Sequence, residues 1–149
     1  MYTAFKIKTI DSWADMEISA GSNSYEFSAS KVFSDDFFIE FLQAIINFRN
    51  TGNLNHVKVY MEADGILHIL FLPYPEDLLK LEIYHDTNWD NYTDEFDNIA
   101  LPIPVFSTIT TPRIAYEIVK ALDNYKASDF GSFNYPAEEV TALKKWMGR

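Results

Sequence analysis

The chain has 149 residues, 48% hydrophobic and 16% aromatic, and a formal net charge of −10. A chain this apolar buries enough surface to offset its ordering entropy, which excludes intrinsic disorder. Cysteine is absent, so disulfide scaffolds, thiolate metal sites and cysteine nucleophiles are excluded as well.

The first thirty residues alternate apolar and polar positions with period two, the sign of strands with one wet face. Phe5 and Ile7 alternate with lysines, then Met16, Ile18 and Ala20 with acids and Ser19, then Tyr25, Phe27 and Ala29 with Glu26 and serines. Gly21-Ser22-Asn23 supplies the turn between the second and third strands. At Ser34 the period changes. Ser34 is a good N-cap, Asp35 and Asp36 place negative charge in a first turn, and Phe38, Phe41, Leu42, Ile45 and Phe48 recur at helical spacing. Phe37 and Ile46 widen that stripe, and Gly52 closes the helix.

Strands then resume. Val57, Val59 and Met61 alternate with polar residues, and Ala63-Asp64-Gly65 fits a three-residue hairpin loop with glycine in the left-handed position. Ile66 to Leu72 is apolar on both faces, as in a central strand, and Pro73 and Pro75 are expected to stop it. Leu79, Leu81 and Ile83 mark the next strand. A polar segment runs from His85 to Asn98, and Ile99 to Ile109 reads as an edge or irregular strand because of Pro102 and Pro104. Thr111 and Pro112 open a helix that buries Ile114, Ala115, Ile118, Val119, Leu122 and Tyr125. A last helix begins at Pro136, with Glu138 and Glu139 in its first turn, Lys144, Lys145 and Arg149 near its end, and Val140, Leu143, Trp146 and Met147 inward.

The expected fold is therefore α+β. It is one domain over residues 1–149, an antiparallel sheet of about six to seven strands with about three helices packed mainly on one face. No apolar run is long enough for a membrane span and no leader pattern is visible, so a cytoplasmic protein is expected. The acidic field repels nucleic acid and anionic membranes and attracts basic surfaces. The twelve Phe, nine Tyr and three Trp exceed the needs of an ordinary core, so part of them is expected at the surface as partner contacts.

The segment Asp86 to Asp97 carries the strongest local signal. Asp86, Trp89, Asp90, Tyr92, Asp94, Glu95, Phe96 and Asp97 interleave carboxylates with rings and include no basic residue. Such a loop suits docking on a basic protein patch: the charges steer encounter and the rings supply contact energy. The same loop resembles an EF-hand at Asp86, Asn88, Asp90, Tyr92, Asp94 and Asp97, where alternate oxygens and one carbonyl wrap a hard cation. It departs from that pattern at Asn91, which replaces the turn glycine, at Thr93, which replaces an apolar residue, and at Asp97, which replaces the bidentate Glu; flanking helices are missing. A solvated acidic loop with its rings tucked inward is the bland alternative.

Catalytic signals are sparse. His68 lies in an apolar strand and reads as a hydrogen-bonded core or face histidine, His56 as a solvated strand start, and His85 and Asp86 as neighbours on opposite faces. There is no HExxH, no G-x-S-x-G and no phosphate-binding glycine loop, so no catalytic residue is assigned and no cofactor is expected beyond calcium in the alternative reading.

The whole chain, from the helix stretch Ser34 to Asn50 after opening strands to the acidic aromatic loop Asp86 to Asp97, is similar in style to immunity proteins of bacterial toxin systems. The resemblance implies a non-enzymatic, acidic protein-binding domain that neutralises a cognate, possibly basic, toxin by occlusion. The alternatives in descending order are a structural or oligomeric subunit, a calcium module through the 86–97 loop, and a hydrolase.

Overall fold

The computed structural model describes residues 3–88, 91, 103–111 and 113–146. Strands β1 (Thr3–Ile10), β2 (Trp13–Ala20) and β3 (Asn23–Ser30) form one antiparallel meander. Helix α1 (Phe37–Thr51) follows, then β4 (Asn55–Tyr60), β5 (Ile66–Tyr74), β6 (Leu78–Asp86) and β7 (Phe106–Thr110) in a second meander of order β4-β5-β6-β7. Helices α2 (Ile114–Leu122) and α3 (Ala137–Trp146) close the chain. The fold is α+β, with seven antiparallel strands and three helices. The strands divide into two sheets, and the break falls between β3 and β4, where α1 intervenes.

The alternation of β2 sends Ala14, Met16, Ile18 and Ala20 inward. Ala20 pairs with Asn23, so only Gly21 and Ser22 make the hairpin turn, and Gly21 supplies its positive φ of 62°. β5 is buried on both faces from Ile66 to Phe71, as a run apolar but for His68 requires. It does not stop at Pro73. The β4 pairing ends at Phe71, and Pro73 pairs only with Leu79 of β6, so this stretch is an edge that tolerates a residue without an N–H. Edge position also accounts for β7, the last strand of its sheet.

Two local expectations are corrected. Ser34 does not cap α1. It is buried and its Oγ accepts from the Tyr60 N–H at 2.7 Å, while Asp36 occupies the N-cap position without a side-chain capping bond. The β4–β5 link is longer than three residues: Tyr60 pairs with Ile66, and the intervening chain makes a 3-10 turn over Glu62–Asp64. Glu62 takes the left-handed backbone at φ 56°, and Gly65 takes φ 101°, ψ −144°.

One contiguous core joins both sheets and all three helices. Its centre is aromatic. Phe41 of α1 lies 5.6 Å from Phe5 of the first sheet, 5.2 Å from Phe37 and 5.6 Å from Phe71 of the second sheet, by ring centroids. Phe38 meets Phe130 edge-on at 5.1 Å, which draws the chain between α2 and α3 into the same cluster. The phenylalanines go largely inward: ten of the twelve are buried, Phe33 is exposed, and Phe96 lies outside the described residues. Phe41→Ala is expected to cost ~3–5 kcal/mol, because it removes contacts to both sheets at once. Urea unfolding measures it, and a loss below ~1 kcal/mol would remove Phe41 from the centre of the core.

Candidate functional site

The second sheet carries a line of polar side chains on the face opposite Val57, Val59, Ile69 and Ile83. His56 pairs with Leu70, Lys58 with His68, His68 with Tyr84, and Asp86 with Ile66. These registers set His56, His68 and Asp86 on one diagonal across β4, β5 and β6, close enough for side chains to meet. His56 Nε2 lies 2.8 Å from His68 Nδ1, and His68 Nε2 lies 3.1 Å from Asp86 Oδ2. His68 and Asp86 are buried.

Charge fixes the direction of these bonds. Burial pushes the Asp86 carboxyl up, but the Asn88 N–H, the Asn91 amide and the His68 ring together hold it below the usual carboxylate range. The ionised carboxylate accepts from His68 Nε2–H. His68 Nδ1 then accepts from His56 Nε2–H. Burial holds His68 below the ordinary imidazole value, against the pull of Asp86. His56 falls to about 4, first through burial and then through the charges of His68 and Lys58. At neutral pH the chain is two neutral imidazoles ending on one carboxylate. It ties three strands together and leaves no net positive charge beside them. His56 is thus not the solvated strand start that its position suggested.

Asp86 also roots the acidic loop. Its Oδ1 accepts from the Asn88 N–H at 2.9 Å, and its Oδ2 accepts from Asn91 Nδ2 at 2.8 Å. Asp86 is only 4% exposed, so it is an internal anchor rather than a steering charge on the surface. Its oxygens are engaged by protein donors. Among the described residues no group of three or more His, Asp or Glu is positioned to hold a metal ion. Trp89, Asp90, Tyr92, Asp94, Glu95, Phe96 and Asp97, the remainder of the expected partner and calcium sets, lie outside the described residues; Asn88 is described, through its N–H on Asp86.

At the same end of the sheet a second group of residues converges. Ser30 Oγ accepts from the Val32 N–H and donates to Glu62 Oε2 at 2.6 Å, fastening the turn after β3 to the turn after β4. Between those anchors Phe33 adopts φ 65° and is 68% exposed, its ring edge-on to Tyr60 at 5.2 Å. Val32 beside it is also exposed. Lone left-handed residues with a Cβ cost ~1–2 kcal/mol, and an exposed ring recovers little of that from the core. His85 reaches from β6 to the carbonyl of Asp64, and Gly65 lies against the Asp86 carbonyl. The corner thus gathers Val32, Phe33 and Tyr60 beside Asp35, Asp36, Glu62 and Asp64. Sequence reasoning missed Phe33 because the residues around it carry helix-start signals.

No protein-family model matches the chain, and no curated protein or solved structure matches it either.

Two outcomes test this geometry. A β-carbon on Gly65 would stand 2.4 Å from the Asp86 carbonyl oxygen, so Gly65→Ala is expected to lose ~1–3 kcal/mol through the forced shift, read as a lower urea midpoint. The histidines bind protons less readily folded than unfolded, since His56 falls to about 4 from its ordinary 6.5. Their contribution is complete above pH 6.5 and is lost as pH falls from there toward 4. The melting temperature should decline between pH 7 and pH 5, and His56→Gln should flatten that decline. An identical slope in the variant would contradict the burial of His56.

Proposed function

We propose that this chain is an acidic protein-binding domain of the immunity-inhibitor kind, which neutralises a cognate basic toxin by covering its working surface. The observation that carries the reading is Phe33, a ring displayed at 68% exposure on a left-handed backbone while ten other phenylalanines are buried. Strain held at an exposed aromatic is a feature of contact sites, where the ring supplies contact energy to a partner. Net charge supports the same partner chemistry: a field of −10 speeds the approach of a basic surface and disfavours anionic ones.

The division of labour follows from charge and exposure. Asp35, Asp36 and Asp64 are exposed and act at a distance, raising the association rate. Phe33 and Val32 enter an apolar recess of the partner and set the lifetime of the complex. Occlusion requires no reacting group on this chain, and the Asp86–His68–His56 diagonal acts as the frame that holds the loop root.

The partner to test is the product of the gene adjacent to this one, co-expressed and titrated by calorimetry. Phe33→Gly removes the ring and relieves the left-handed backbone together. It is expected to keep or raise the melting temperature while weakening the complex by roughly 30-fold, the scale of a ~2 kcal/mol hot spot. Unchanged affinity in that variant, or no complex with the native chain, would refute the assignment.

A further inference from the structure

A cavity of about 350 Å³ opens between α1 and β4, lined by Glu40, Gln43, Asn47, Asn55, His56 and Lys58 among others. It follows β4 from Asn55 to Lys58. The walls have an uneven hydrogen-bonding character. Gln43 spends its Nε2 on Glu139 Oε2 at 3.0 Å, and Asn55 spends its Nδ2 on the Asn53 carbonyl at 3.1 Å. Each amide therefore has its carbonyl oxygen left for the cavity. His56 spends its Nε2–H on His68 and carries no charge.

Glu40 is the remaining acceptor. It is exposed, and among the described residues none donates a hydrogen bond to its carboxylate. Partial desolvation raises its proton affinity, the charges of Asp36 and Asp35 raise it further, and Lys58 opposes them through its field. A carboxylate in this state favours a cation. The cation that suits several acceptors spread over one wall is planar and rich in donors: a guanidinium presents five N–H groups in a fixed fork, an ammonium only three on a point charge.

We infer that the cavity between α1 and β4 receives an arginine side chain presented by a basic protein partner, with Glu40 pairing its guanidinium and the Gln43 and Asn55 carbonyl oxygens accepting from its remaining N–H groups. The inference rests on the protein-binding reading above and names the chemistry one part of that partner must offer. Lys58 sits on the same wall and limits the affinity, since its ammonium repels the incoming charge.

The test uses the intact chain with short peptides, independent of any natural partner. Triarginine is titrated by calorimetry and by amide chemical-shift mapping, with tricitrulline as the uncharged counterpart of similar shape. Triarginine is expected to shift the amides of Glu40 to Asn47 and Asn55 to Lys58, and tricitrulline to leave them in place. Glu40→Gln should weaken binding about tenfold, and Lys58→Met should tighten it severalfold. Asp77→Asn, which removes the same charge outside the cavity, should change it less than twofold. Equal losses in Glu40→Gln and Asp77→Asn would reduce the effect to net charge and overturn the inference, as would equal binding of tricitrulline. Failure here beside an intact Phe33-dependent complex would remove the cavity and leave the protein-binding reading standing.

Discussion

Phe41 is the contact on which the arrangement of the molecule depends. The strands form two meanders with no ladder joining them, so backbone hydrogen bonds cannot fix one sheet against the other. Side chains of α1 do so instead, with Phe41 touching Phe5 on one sheet and Phe71 on the other. Edge-on and tilted ring pairs add directional preference to area burial, so the angle between the sheets is set as well as their separation. Because α1 is gripped this way, its opposite flank stands at a fixed distance from β4, and the Glu40 cavity exists in that gap.

The second sheet meets a different constraint. Burial of β5 on both faces demands that every polar group on it be satisfied. His68 is the exception to its apolar run, and its ring nitrogens find His56 and Asp86 on the two neighbouring strands. A buried polar network whose members are hydrogen-bonded specifies register, because a slip of two residues would take the His68 donor away from the buried Asp86 carboxylate. The diagonal thus has a structural duty sufficient to account for it. The functional reading rests instead on two features of the surface, Phe33 and Glu40.

Much of the fold was legible in the sequence because burial periodicity follows local pattern. The alternation of Met16, Ile18 and Ala20, the double-faced run of β5 and the stripe through Phe38, Phe41 and Ile45 all reappear as buried positions. The break into two sheets was not legible, since strand count does not depend on how far a helix holds two meanders apart. The histidine diagonal was hidden by one turn. A three-residue loop at Ala63–Gly65 would pair Glu62 with Ile66 and set His68 opposite Tyr60, out of reach of His56; the observed pairing of Tyr60 with Ile66 brings them together. Phe33 was hidden because neighbouring Ser34, Asp35 and Asp36 carry the chemistry of a helix start, and long-range bonds from Ser34 to Tyr60 and Ser30 to Glu62 override it.

Those same bonds have a consequence for entropy on association. The turn bearing Phe33 is fastened to Glu62, the turn containing Glu62 ends at Gly65 against the Asp86 carbonyl, and Asp86 holds the loop root. Three segments far apart in the chain are thereby braced as one unit. Rotamers and turns that are already locked before an encounter lose little freedom during it. The corner is preorganised, so a modest contact area there yields more net affinity than the same residues would on an untethered loop.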